Sequence, residues 1–527
     1  MRFVWIILII FISASIKAQV INFERVHQQD TGWSLSGGDI LELNDSGYVG
    51  IGFTVAFFPT DSINVVPYYP SYYHAIFRVD NQGDSVFIKN VDFGNQNFFN
   101  VHGYYPGNVF FSVAKISDNS FMATGWTQTV LPPQNTYDAD CIFYKFDSNG
   151  DSIACSVISV IDTQINCTDI ILTSDYYLIS VGFEITTSGT YAKGIVVKTD
   201  TSGNIIWRKT YSTPFDMHIT GITESPAGGF ILAAQTFNGD YNNGNNYNPI
   251  MLKIDTSGTI NWIKHFSTIN YMFPNGPSVT ATTDSNYIFS YPNYAQAPTH
   301  FKMNENGDTL WKRSIDIYQQ EGYATQSTFS ASDNYGGIVA IATVYDSTNF
   351  RQGAIYRLSG DGDLLWNRKF GTSFNSVRVY SVKQTSDNGF IVTGGSWCCN
   401  HIWPNGGILP SLYVIKFDSL GLLYPIGINE HAPTENALLS FPYPNPASTQ
   451  TTFTVLVPPT NSNGIAGEKG AAILLFDMRG AQLQKHALQT GLNTLTLDVS
   501  SLASGEYLCV LSLDGYNAGG KKIIVQR

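Results

Sequence analysis

The sequence predicts an all-β protein: a seven-bladed β-propeller followed by a small C-terminal immunoglobulin-like β-sandwich. Three observations carry that expectation. The composition is rich in turn residues and poor in charge, one unit recurs seven times, and the pattern changes after residue 436.

The 527 residues include 47 glycines and 22 prolines, and 43% are hydrophobic. Apolar residues are thus plentiful enough for packed cores, with turn signals frequent enough to punctuate short strands, which excludes disorder as the main state. Charged residues make up 13%, about half the usual share of roughly 25%. The 41 acidic and 29 basic residues leave a net charge of −12. Nucleic-acid affinity rests on Lys and Arg neutralising phosphates, so DNA and RNA are excluded as partners.

In chain order, residues 1–18 come first. Arg2, the apolar run Phe3 to Ile12 and the small residues before Lys17 and Ala18 read as a secretory signal peptide cleaved after Ala18. The run is short of the ~20 apolar residues that span a bilayer, and no later segment supplies them, so no transmembrane segment is expected in the mature chain.

Residues 19–428 carry the repeat. A strand ending in a basic residue meets an Asp-x-x-Gly-type turn, and an apolar strand follows. The copies are Asp80 to Gly83, Asp147 to Gly150, Asp200 to Gly203, Asp255 to Gly258, Asn304 to Gly307, Ser359 to Gly362 and Asp418 to Gly421, with glycines 49 to 67 residues apart. Trp207, Trp262, Trp311 and Trp366 occupy one position after four of the turns. A second small polar turn with a strand of small residues precedes each copy, as in Asp387 to Gly394. About four short strands per unit and a period near 50 are the signature of a propeller. In such a unit Asp accepts the amides of its own turn, Gly takes the left-handed conformation, and Trp fills the space between sheets. The pattern resembles the blade motif of quinoprotein-type propellers, whose Asp, Gly and Trp dock neighbouring blades. Quinone-dependent redox chemistry would need cofactor residues that are absent, so no cofactor is expected. The seventh unit lacks its last strand, and residues 21–38 have no unit of their own, so the N-terminal segment is expected to complete the last blade.

After a linker at 429–436, residues 437–527 change character. Pro444-Asn445-Pro446, the turn Asp477 to Gly480, Gly505-x-Tyr507 and Lys521-Lys522 follow in order among alternating strands. These motifs resemble the type A sorting domain of the type IX secretion system of Bacteroidetes. That resemblance implies the type IX secretion machinery as a partner, and a protein that is secreted or displayed at the outer-membrane cell surface.

Six cysteines, Cys141, Cys155, Cys167, Cys398, Cys399 and Cys509, are sparse for an exported chain of this size. Free thiols are the expectation, with a cross-strand Cys141–Cys155 bridge as the alternative. No zinc motif, nucleophile elbow, phosphate loop or dinucleotide fingerprint is present. Asn238 to Gly244 lacks the terminal Glu of a calcium loop and reads as a flexible loop, so no metal site is assigned.

The candidate site is a set of aromatics concentrated where each unit's second strand leads to its third: Tyr68, Tyr69, Tyr72, Tyr73, His74, Trp126, Tyr241, Tyr247, Tyr291, Trp397, His401 and Trp403. Repetition places these loops on one face, and rings that combine an apolar surface with a polar edge suit a polysaccharide or a protein surface. The expected function is ligand binding. The alternative is an extracellular glycan hydrolase or lyase with carboxylates gathered from distant blades at the channel, which would show as two buried carboxylates beside Arg or His.

Overall fold

The computed structural model describes residues 22–27, 34–57, 70–91, 109–131, 136–186, 189, 191–238, 246–266, 276–291, 297–316, 325–345, 351–371, 376–397, 411–422, 438–439, 442–457, 471–477, 481–489, 491–513 and 516–527. All regular structure among them is β-strand, and no helix is long and apolar enough to cross a membrane. The repeats form seven four-stranded antiparallel sheets, here sheets 1 to 7 in chain order. Their first strands are Ser34–Glu42, Val109–Ser117, Thr163–Leu172, Asp216–Glu224, Ser278–Ala281, Thr325–Ser332 and Ser376–Gln384. Each first strand touches the next, and the seventh touches Ser34–Glu42 again. The sheets therefore form a closed, propeller-like ring with these strands innermost.

Closure follows the sequence expectation at one end of the segment and departs from it at the other. Phe23–His27 pairs with Ser411–Phe417 as the outermost strand of sheet 7. Ser34 to Gly38, by contrast, open sheet 1 by pairing with Tyr48–Phe57, because their alternating small and apolar residues suit an innermost strand covered on both sides. The proposed signal peptide lies outside the described residues.

Each motif residue has a mechanical task. Asp80, Asp147, Asp200, Asp255 and Asp418 each accept backbone amides two and four residues ahead at 2.8–2.9 Å. All seven turn glycines have φ between +72° and +89°, where a Cβ is strained. In sheets 3, 5, 6 and 7 the basic residue near the end of the third strand pairs with the acid of its own sheet's first turn, as Lys198–Asp175, Lys302–Asp284, Arg357–Asp333 and Lys416–Asp387, at 2.6–3.3 Å, whereas Lys253 of sheet 4 pairs with Glu305 in the turn of sheet 5. The basic residue also reaches the next sheet: Arg78 donates to Ser148 O, Lys145 to Thr201 O and Lys302 to Gly360 O. Trp262 and Trp311 donate their indole N–H to carbonyls of the following turn, Glu305 O and Gly360 O. These bonds bring the turns of adjacent sheets to one end of the ring. In each antiparallel sheet the second-to-third connections then leave from the opposite, loop end.

The cysteine pairing corrects the sequence reading. Cys141, in sheet 2, is bonded to Cys167 in sheet 3 (Cα–Cα 5.4 Å), while Cys155 is free and exposed and Cys509 free and buried. Cys141 stands opposite Ile158, three residues from Cys155, and an odd offset puts the two thiols on opposite faces of the sheet. Cys398 and Cys399 lie outside the described residues. A 26-residue separation predicts that Cys167→Ser lowers the unfolding free energy by about 3 kcal/mol. Denaturant titration of the variant against wild type measures this, and an unchanged midpoint would reject it.

The C-terminal residues form two antiparallel sheets over one core. Leu438–Leu439, Gln450–Val457 and Gly491–Asp498 make the first, and Gln482–Leu488, Ala471–Asp477, Gly505–Leu513 and Tyr516–Val525 the second. Phe453, Val455, Ile473, Leu475, Leu497, Tyr507, Cys509 and Leu511 fill the space between them. The sorting-motif residues are structural in this module. Asn445 donates to Lys522 O (2.9 Å) and accepts from Ile524 N (2.7 Å), tying the exposed Pro444 to Pro446 turn to the last strand. Tyr507, at the start of the strand that Gly505 opens, donates to Ala503 O, and Lys522 pairs with Glu506. Lys521 is half-buried.

Candidate functional site

Five of the twelve candidate aromatics and histidines are described with their side chains. Tyr68, Tyr69, Tyr241, His401 and Trp403 lie outside the described residues, and of Tyr72 and Tyr247 only the strand positions are described. His74 is fully buried, with Nε2 at 3.2 Å from Trp126 O and its ring 4.2 Å from that of Phe110. Burial pushes its pKa down to about 3, so the imidazole is neutral at physiological pH. Tyr291, 4% exposed, packs among Phe266, Phe289 and Phe301. As placed, these two contact the protein interior.

Tyr73, Trp126 and Trp397 differ, since all three are half-buried near the loop end. They belong to sheets 1, 2 and 7, which are consecutive in the ring. Trp397 ends the second strand of sheet 7, and two guanidinium groups lie over its ring: Arg351 at 5.6 Å and Arg378 at 5.7 Å. Arg351 opens the third strand of sheet 6 and Arg378 lies on the innermost strand of sheet 7. The cations fix the indole by attraction to its π-face and concentrate positive charge on an otherwise acidic protein. Both arginines escaped the sequence reading. Their signal was available: they stand away from the turn-end position that the repeat reserves for a basic residue.

A second constellation lies on the innermost strands. Asp39 Oδ1 accepts from Ile40 N (2.9 Å), Ser381 Oγ (2.5 Å) and Lys383 Nζ (3.3 Å), and Oδ2 accepts from Val113 N (3.2 Å) and Ser112 Oγ (3.4 Å). Asp169 Oδ1 accepts from Ile170 N and Ser112 Oγ (2.8 Å), and Oδ2 accepts from Ile222 N (3.0 Å). Asp39, Ser112, Asp169 and Ser381 each sit in or immediately after a bulge of their strand, where the ladder opens and a side chain is re-aimed. Burial raises the Asp169 pKa, with the Asp39 charge adding to it, against Lys383, Ser112 and Ile222. Burial alone would lower the Lys383 pKa, but the charges of Asp39 and Asp169 outweigh it and the net shift is upward.

This cluster answers the hydrolase criterion only in part. It has two carboxylates and a cation, yet a single hydroxyl, Ser112 Oγ, bonds both carboxylates. A glycosidase keeps its carboxylates about 5 Å or more apart so that the scissile bond fits between them. Here that space holds Ser112, and Asp39 has donors on both oxygens. The arrangement braces sheets 7, 1, 2, 3 and 4 around the axis. Among the described residues no cluster of three or more His, Cys, Asp or Glu is arranged to hold a metal ion.

Comparison with known proteins adds one specific match. The family described as secretion system C-terminal sorting domain matches residues 442–526. That module implies a type IX secretion system and export to the cell surface or outside. No curated protein matches the chain. Solved structures are distant. An α-L-arabinanase of Penicillium chrysogenum complexed with arabinobiose is 11% identical, with TM-score 0.38, over 76% of this chain and 97% of the other. An α-L-arabinofuranosidase of Fusarium graminearum complexed with arabinobiose is 13% identical, with TM-score 0.38, over 75% and 97%. The β-propeller domain of the Trilobed protease of Pyrococcus furiosus is 8% identical, with TM-score 0.39, over 72% and 95%.

Proposed function

We propose that this chain is a secreted or cell-surface binding protein of a Bacteroidetes-type bacterium. Residues 1–18 would be its signal peptide and residues 19–428 a seven-bladed propeller with quinoprotein-like blade docking. Residues 437–527 would be an immunoglobulin-like module that the type IX machinery recognises. Its ligand is a polysaccharide or a protein surface, held at the loop end of sheets 7, 1 and 2. The observation that carries this reading is Trp397, clamped by Arg351 and Arg378 and flanked around the ring by Trp126 and Tyr73. Tyr72, on a strand of sheet 1, and Tyr247, on a strand of sheet 4, are proposed as further ligand-binding residues, and Tyr68, Tyr69, Tyr241, His401 and Trp403 are proposed on their sequence positions alone. The occupied space between Asp39 and Asp169 favours binding over the hydrolase reading.

The test is a glycan array and a cell-surface protein screen with the purified full chain, repeated with Tyr73, Trp126 and Trp397 all changed to Ala. Each buried aromatic anchor contributes about 1–2 kcal/mol, so affinity for any ligand found should fall at least roughly 100-fold. Thermal unfolding of the variant reports whether the fold survives. Equal binding by a folded triple variant would reject the surface.

A further inference from the structure

The seventh turn breaks a rule that the other six obey. The third and fifth positions are Gln82 and Asp84, Asn149 and Asp151, Ser202 and Asn204, Ser257 and Thr259, Asn306 and Asp308, and Asp361 and Asp363, all polar and exposed. In the seventh they are Leu420 and Leu422, 5% and 6% exposed. What covers them is the C-terminal module: Leu420 and Leu422 form one buried cluster with Phe476, Leu508 and Val510, with Leu474 packed against it. Those residues alternate along their strands with Ile473, Leu475, Tyr507, Cys509 and Leu511, which face the module's own core. Strands apolar on both faces must be covered on both faces. The outer face of this module therefore has its own need for an apolar partner, and the seventh turn is the one turn of the ring that supplies it.

Electrostatics agree with the packing. Hydrogen bonds within the turn, from Asn204 and Ser257 first, lower the pKa of Asp200 and Asp255. Asp418 accepts the same two amides, yet burial pushes its carboxyl up to about 6, over the opposing amide bonds and the charges of Lys416 and Arg368.

We propose that the seventh turn is a dedicated dock for the C-terminal module, and that docking keeps the module's Leu474–Phe476–Leu508–Val510 face covered by the ring until the module is released. The surface that the export machinery can read on the intact chain is then the remainder of the module. Removal of the module bares Leu420 and Leu422 as an apolar pair on an otherwise polar rim.

The test uses the full chain with Leu420→Asn and Leu422→Asp, the pair the fifth turn already carries, so the turn keeps its backbone bonds. Exchanging two buried leucines for polar residues shifts the equilibrium roughly 100-fold toward the undocked form. Small-angle scattering should show a longer particle and limited proteolysis a faster separation of module from ring. Leu508→Gln, made from the other side of the contact, should reproduce both changes and decides the matter if the double variant fails to fold. Wild-type dimensions and cleavage rates in a folded variant would overturn the proposal.

Discussion

Arg357→Ala is expected to lower the unfolding free energy by about 3–5 kcal/mol, the cost of leaving one member of a buried ion pair without the other. Arg357 and Asp333 are each 1% exposed, with Nε to Oδ2 at 2.8 Å. The carboxylate also accepts Tyr335 N and Gly337 N and so shapes the first turn of sheet 6. The guanidinium lies 5.0 Å from the centre of the Tyr335 ring and donates to Ser419 O in the turn of sheet 7. Truncation strands a carboxylate in the interior and cuts a link between two sheets. Replacing both partners, Arg357→Met with Asp333→Leu, removes the charges together and should recover part of the loss. Denaturant titration of the three variants measures the difference. A single-variant loss below about 1 kcal/mol, the range of exposed pairs, would show that water reaches this pair.

That ion pair was half-visible in the sequence, and the reason separates what could be read from what could not. The basic residue before each turn, the turn Asp, the turn Gly and the following Trp recur because each acts within its own sheet or on the adjacent turn. Local action leaves a local spacing. The axial braces have no such trace, since Asp39 bonds Ser381 across 342 residues and Val113 across 74. Nothing in the neighbourhood of Asp39 distinguishes it from a surface acid. The Cys141–Cys167 bond joins two sheets and was hidden for the same reason, while the rejected Cys141–Cys155 pairing lay across adjacent strands of one sheet. The aromatic candidates divide likewise. Strand position near a loop end was legible for His74, Tyr291 and Trp397, but burial depends on the neighbouring sheet, and that sends the first two inward and leaves Trp397 beside two arginines.

Asp39→Ala should produce the second large loss, and one with a functional consequence. Both carboxylate oxygens are engaged, and truncation leaves Val113 N and Ile40 N without an acceptor in the interior. At ~1–3 kcal/mol for each stranded donor the variant should lose about 3 kcal/mol. Lys383 adds less, because 40% of its side chain is exposed and water screens its charge. The pH signature is specific. Asp39 and Asp169 hold the folded Lys383 pKa above the ordinary lysine value, so its stabilising contribution is present below that value and is lost only as alkali takes pH through the folded pKa. Removing Asp39 should lower the Lys383 pKa, as read by NMR titration of its ammonium, whereas Asp39→Asn keeps the shape and isolates the charge. Because Asp39 joins sheets 7, 1 and 2, its loss loosens the same arc that carries Trp397, Tyr73 and Trp126. Ligand affinity should therefore fall in Asp39→Ala without any contact to the ligand having been removed. Unaltered affinity in a destabilised Asp39→Ala would mean that the loop end holds its geometry independently of the axis.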